Sequence, residues 1–225
     1  MKRFLPAVLL LLVGALFAIA PALADDDDDG PRAKQYRLTV ENLTPPGSQP
    51  LSPPLLVVHS SRADVWSVGD IASHGVAAIA EDANNSVLES ALTGFPGVRS
   101  VSTGTGGPIP PGTSRTYVVE TEGRYNRLSV VTMLVNTNDA FTGLDSLRVG
   151  SRRTALMTAA YDAGSERNNE RRSHIPGPCC NNPFVRDPEG RVIGMHEGIT
   201  GRGDLSPATY GWTGPAARIT IERVS

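Results

Sequence analysis

Glycine and proline fill 41 of the 225 positions, 23 and 18 respectively, and this density of turn-formers limits the fold more than any other feature. A chain broken so often has little room for long helices and favours many short strands joined by turns. Hydrophobic residues make up 40% of the chain and charged residues 20%, enough apolar material for one sizeable core. The near balance of 21 Lys and Arg against 23 Asp and Glu excludes both a basic nucleic-acid arm and a disordered acidic tail. No nucleic-acid partner is expected.

The N-terminal segment reads as separate from the fold. Lys2 and Arg3 precede an apolar run over residues 4–20, and Pro21-Ala22-Leu23-Ala24 has the small-residue spacing of a secretory signal peptide. The run is about the minimum length for crossing a bilayer, so an uncleaved anchor is the competing reading. Ala22 and Ala24 favour cleavage after Ala24, which predicts a secreted or periplasmic protein. No cysteine stands at the end of the run to carry a lipid. Residues 25–29 are five consecutive aspartates; they repel one another and bury nothing, so residues 25–34 are expected to be a solvated, flexible leader. The folded domain is expected over residues 35–225, and with no further apolar span after residue 30 the mature protein is expected to be soluble.

Within that domain, residues 35–42 alternate Tyr36, Leu38 and Val40 against Arg37, Thr39 and Glu41, the pattern of a half-buried strand. Residues 55–60 form a short continuous apolar run, read as a buried strand. Val76, Ile79 and Ala80 have helical spacing, and Ser86-Val87-Leu88-Glu89 has the form of a capping box closed by Gly94. Further strands are expected over 116–121, 128–136, 154–160, 191–195 and 217–224, with a long loop over 163–191. Seven or eight short strands separated by turns predict an all-β antiparallel sandwich with short helices.

The segment with most chemistry runs from Leu134 to Glu170. Leu134-Val135-Asn136-Thr137-Asn138-Asp139-Ala140-Phe141-Thr142-Gly143-Leu144 is an apolar strand breaking into a polar turn, and Tyr161-Asp162-Ala163-Gly164-Ser165-Glu166 does the same after the strand at 154. If those two strands are neighbours, Asp139, Asp162 and Glu166 converge where their loops begin. Hard cations such as calcium take six to eight oxygens from carboxylates, carbonyls and water. Asp and Asn also populate turns for local hydrogen bonding, so spacing leaves both readings open.

These two segments closely resemble the spondin domain as found in bacterial secreted proteins. So do the Asn42-Leu43-Thr44 ending of the first strand, the segment from Ser52-Pro53-Pro54 to His59, Ala80-Glu81-Asp82, Ile175-Pro176-Gly177-Pro178, Met195-His196-Glu197-Gly198-Ile199 and the strand over 215–224. The resemblance covers roughly residues 35–225. It implies an eight-stranded antiparallel β-sandwich like that of calcium-dependent membrane-binding modules, holding one Ca2+ ion in the loops at one end. Carried onto this chain, the carboxylate ligands would be Asp139, Asp162 and Glu166. Animal relatives have Asp where Glu166 stands, and they carry several disulfides and following thrombospondin-type repeats. This chain has two cysteines and no such repeats, so the adhesive roles of the animal proteins transfer poorly.

Other features have plain readings. Cys179-Cys180 are open to a vicinal disulfide, a bridge to another chain, or free thiols. Arg202-Gly203-Asp204 is a tripeptide that arises often by chance. The four histidines include no His-Glu-x-x-His, and no serine sits in a Gly-x-Ser-x-Gly elbow. The expected function is therefore that of a non-enzymatic, secreted or periplasmic calcium-binding module for binding or adhesion, with an extracellular or envelope component as its partner. The alternatives are a metal-dependent hydrolase using His59 or His196 as base, and a purely structural envelope protein. Nothing in the sequence supports a membrane surface as the partner.

Overall fold

The structure, a computed structural model, describes residues 33–224; the expected signal peptide and nearly all of the acidic leader lie outside the described residues. The strands are β1 (Lys34–Asn42), β2 (Leu55–His59), β3 (Val98–Thr103), β4 (Ser114–Thr121), β5 (Arg127–Met133), β6 (Ala140–Arg148), β7 (Thr154–Thr158), β8 (Tyr161–Asp162), β9 (Gly194–Met195) and β10 (Ala217–Arg223). Short helices α1 (His74–Asp82), α2 (Asn85–Leu92) and α3 (Pro207–Tyr210) join them. The strands form two antiparallel sheets, one of four in the order β4-β1-β10-β7 and one of six in the order β3-β2-β5-β6-β8-β9. The protein is therefore mostly β and sandwich-like. Among the described residues there are ten strands where eight were expected, and two of the ten are two-residue pairings, β8 and β9.

The alternation in β1 does what its period predicts. Tyr36, Leu38 and Val40 are buried while their neighbours face outward, each buried side chain contributing about 1.5–3 kcal/mol relative to exposure. They meet Ile219 and Ile221 of β10 beside them, and Leu56, Val58, Leu128 and Val130 of the six-stranded sheet opposite. The odd residues of β2, Leu55 and Val57, face the other way and pack with Val131 and Phe141 under Val76, Ile79 and Leu88 of the helices. The six-stranded sheet is thus covered on both sides, which is why all five residues of β2 are buried and why that strand reads as a continuous apolar run.

Three local expectations are corrected. The capping box at Ser86 does not form: Asn84 precedes α2, the Ser86 hydroxyl donates to Asn84 Oδ1 (2.7 Å), and Glu89 accepts from Thr103 Oγ1 on β3 (3.0 Å). The strand expected over 128–136 ends at Met133. Thr137 closes the turn there, its hydroxyl donating to Leu134 O (2.7 Å) and accepting from the Ala140 amide (3.0 Å). Beyond it, residues expected to be a polar turn form β6, whose first five residues are all buried.

Two features in β6 hid it. Thr142 is polar yet satisfied, bonded to Thr158 Oγ1 (2.8 Å) and Ala159 O (2.7 Å). Gly143 is required because a Cβ there would overlap the carbonyl oxygen of Val130 on β5. Gly143→Ala is accordingly expected to force β5 and β6 apart and lower the unfolding free energy by about 2–3 kcal/mol. Urea denaturation checks this; an unchanged midpoint would mean the strand pair shifts freely.

Candidate metal centre

The acidic turn is assembled by strands other than those first expected. The strands ending near Leu134 and beginning at Thr154 are not neighbours: β5 lies in the six-stranded sheet and β7 in the four-stranded one. The chain instead leaves β5, turns through Thr137 and enters β6, and the short β8 pairs with β6 in the register Ala140↔Asp162. Ala163 N then donates to Asp139 O (3.1 Å). At Gly164 the backbone takes a positive φ of 68°, and a Cβ there would overlap the Arg191 carbonyl oxygen. Only glycine serves at this position, and the turn it makes aims the next two amides at Asp139.

Asp139 is fully buried. Its Oδ2 accepts from Ser165 N (2.9 Å), Ser165 Oγ (3.2 Å) and Glu166 N (2.9 Å). Its Oδ1 is buried with no hydrogen-bond partner. Glu166 is 1% exposed, and neither of its carboxylate oxygens has a hydrogen-bond partner; Oε1 lies 3.2 Å from Arg186 Nε as an ion pair. A buried carboxylate oxygen without a donor costs about 1–3 kcal/mol or more, so three such oxygens in one turn call for an explanation.

Burial raises the Asp139 pKa to about 7, the charge of Asp162 adding to the rise and the Glu166 and Ser165 donors opposing it. Burial raises Glu166 to about 8; Arg186 opposes this while Glu81, Asp139 and Asp82 add to it. Both groups thus sit where ionisation is costly unless a cation arrives.

Asp162 is only half-buried and is otherwise engaged. Its Oδ1 accepts from Gly164 N (2.7 Å) and its Oδ2 from Asn168 Nδ2 (2.7 Å). Asp139 and Glu166 are therefore brought together with vacant lone pairs, while Asp162 stands beside them with both oxygens occupied. Among the described residues, no group of three His, Cys, Asp or Glu is arranged to hold a metal ion. The donor set is nevertheless all oxygen, buried and short of donors, and that chemistry fits a hard cation better than a soft one.

Three residues of this site escaped the sequence reading. Glu81 and Asp82 arrive from the C-terminal end of α1, and Arg186 from the long loop, where it pairs with Glu81 (2.7 Å), Asp82 and Glu166. The Ala80-Glu81-Asp82 segment was visible in the sequence, but nothing in its spacing pointed across more than 80 residues to Glu166.

The two histidines considered as bases are hydrogen-bonded within the fold. His59 is buried, with its ring nitrogens on Ser60 O and Ser129 Oγ (both 2.9 Å). His196 Nε2 contacts Asn168 Oδ1 (3.0 Å), and its Nδ1 accepts from Gly198 N (2.9 Å). The Arg202-Gly203-Asp204 segment is folded into the loops: Arg202 pairs with Glu197 (2.6 Å), and Asp204 accepts from Arg172 N (3.0 Å). Gly203 lies against the Asn169 and Glu170 carbonyls, where no Cβ fits. Cys179 and Cys180 form a vicinal disulfide.

Among the described residues, no helix is long and apolar enough to cross a membrane. A comparison with curated proteins gives no match. The sequence model of the spondin N-terminal domain, Spondin_N, matches residues 44–168, a span that runs through β2 to β8 and includes Asp139, Asp162 and Glu166. The match covers more than half of the chain, and the chain belongs to the spondin N-terminal domain family.

Proposed function

We propose that this protein is an extracellular binding module whose acidic turn takes up a single calcium ion, and that it is not an enzyme. The observation that carries the reading is the set of buried carboxylate oxygens left without donors, Asp139 Oδ1 and both oxygens of Glu166. Asp139 and Glu166 would supply charged ligands, and Asp162 would join by exchanging one of its present contacts, to Gly164 N or Asn168 Nδ2, for the ion. When bound, calcium neutralises these charges and ties β6, β8 and the loop after Gly164 together. Spondin domains are extracellular modules, which agrees with the signal peptide read from residues 1–24; the partner is then an extracellular or envelope component.

Thermal unfolding with calcium, with magnesium and with a chelator tests this. At a hundredfold excess over its dissociation constant, calcium should add about 2.7 kcal/mol. That corresponds to a rise of roughly 5–10 °C in Tm for a domain of this size, with a smaller effect from magnesium. Asp139→Ala should abolish the rise. A rise that survives this substitution would put the ion elsewhere, the acidic leader being the obvious alternative. No rise at all in the parent protein would leave the orphaned oxygens to protons alone.

A further inference from the structure

The end of α1 is built against its own electrostatics. The C-terminus of a helix carries partial negative charge and favours cations, yet α1 closes on Glu81-Asp82 with no basic residue in its last turn. Both side chains are largely buried, at 15% and 6% exposed. What offsets them is Arg186. Its Nε lies 2.7 Å from Glu81 Oε2 and 3.2 Å from Glu166 Oε1, and its Nη2 pairs with Asp82 Oδ2. The loop is held in place by a second contact, Phe184 N to Asp82 Oδ1 (3.1 Å).

One guanidinium thus serves three carboxylates, with Asp139 a fourth acid whose charge reaches Glu166. Its geometry leaves Glu166 Oε2 and Asp139 Oδ1 without a partner and meets Glu166 Oε1 as an ion pair but not as a hydrogen bond. With all of its acids ionised the cluster carries more negative charge than its resident cation neutralises, on side chains that are largely buried. An Arg binds carboxylates through a planar fork. A divalent ion would instead draw oxygens from several directions at once.

We propose that a divalent cation taken up beside Asp139 competes with Arg186 for Glu166, and that as Arg186 withdraws Glu81 joins Glu166 and Asp139 as a ligand. This rests on the calcium reading above and extends it in two ways. It adds Glu81 of α1 to the ligand set, and it makes the loop carrying Arg186 respond to the ion. As the ion takes Glu166, Arg186 retains Asp82, and the α1 end is tied directly to the turn after β8. The exposed Phe184 and Val185 lie on the loop that loses its Glu166 contact while Asp82 keeps its hold on Arg186 and Phe184.

Calorimetric titration of calcium chloride into the purified full chain, its Arg186→Gln variant and its Glu81→Gln variant tests the proposal, with circular dichroism to confirm folding. Removing a competing positive charge a few ångströms from a divalent ion should tighten binding by about tenfold or more in Arg186→Gln. Glu81→Gln should weaken it by about tenfold. The double variant decides its role: within the Arg186→Gln background, or Arg186→Lys where Arg186→Gln fails to fold, Glu81→Gln should still weaken binding, and no further loss there removes Glu81 from the ligand set. Calcium bound by the parent chain with unchanged affinity in the variants overturns the proposal while leaving the Asp139 site standing. Binding that appears only in Arg186→Gln supports it. Binding by none of the three overturns both this proposal and the calcium reading beneath it.

Discussion

Phe141→Ala is expected to lower the unfolding free energy by about 3–5 kcal/mol and to disorder the acidic turn along with the core. Phe141 is fully buried and sits at the junction of scaffold and site. Its ring meets Trp66 edge-on, with centroids 5.0 Å apart and an interplanar angle of 87°, and it packs on Tyr161 at 5.6 Å. Trp66 and Tyr161 also touch each other, at 5.0 Å. On its own sheet Phe141 pairs with Met133 of β5 and Tyr161 of β8. Since β8 is only two residues long, its hydrogen bonds to β6 cannot fix it alone, and the aromatic trio supplies much of the packing that keeps Asp162 opposite Ala140. Truncation leaves a cavity under α1 and α2 that those helices can only partly fill. Phe141→Leu should cost under about 1.5 kcal/mol because most of the volume is kept. Urea denaturation of both variants, read by Trp fluorescence, checks this. A loss below 1 kcal/mol in Phe141→Ala would mean that the helices cover the sheet loosely and that the turn holds its own shape.

How much of this was legible in the residues follows from where the physics is local. The period-two pattern of β1 and β10 and the apolar run of β2 report burial directly, so those strands were readable to within a residue or two. β6 was not, because its buried face contains Thr142 and Gly143. Each is there for a partner on another strand, Thr158 of β7 in one case and the Val130 carbonyl of β5 in the other. The same limit governs the site. Asp139, Asp162 and Glu166 could be singled out as turn carboxylates, and two of them do meet in the structure. The expected route between them, by neighbouring strands, was mistaken, since convergence comes from β6 pairing with β8. Arg186 and Glu81 could not be derived from spacing, because an ion pair between residues 105 positions apart leaves no periodic trace.

In chelator, the protein is expected to lose stability as pH rises from 6.5 to 8.5, the reverse of what paired surface carboxylates produce. Burial first, then neighbouring charge, raises Asp139 from 3.8 to about 7 and Glu166 from 4.5 to about 8. In the unfolded chain both ionise at their ordinary values. Over this window the native state therefore holds more protons than the unfolded state, and stability falls with pH. The stabilisation is complete below about pH 4, where both states are protonated, and is gone above about pH 8. Below pH 6.5 an opposite contribution enters. Burial lowers the His196 pKa from 6.5 against the pull of Asp162, Glu197 and Glu170, so the unfolded chain takes up that proton first and this group's contribution falls on further acidification. Glu170 acts in the same sense: burial would raise its pKa, but the Thr200, Gly201 and Gly203 donors outweigh burial and lower it. One imidazole offsets only part of what two acids contribute, so the optimum without calcium lies well below neutral, where Glu170 and the ordinary carboxylates begin to protonate. The loss between pH 6.5 and 8.5 should be about 2 kcal/mol, allowing for solvent screening on the Arg186 side of the cluster. Calcium competes with the same protons and binds only the ionised carboxylates, so at saturation it should flatten the fall or turn it into a rise. Chemical denaturation at pH 6.5, 7.5 and 8.5, with calcium and with chelator, separates the cases. A flat profile in chelator would mean that solvent or Arg186 already satisfies both acids. A fall that persists unchanged in saturating calcium would mean that these acids are not where the ion binds.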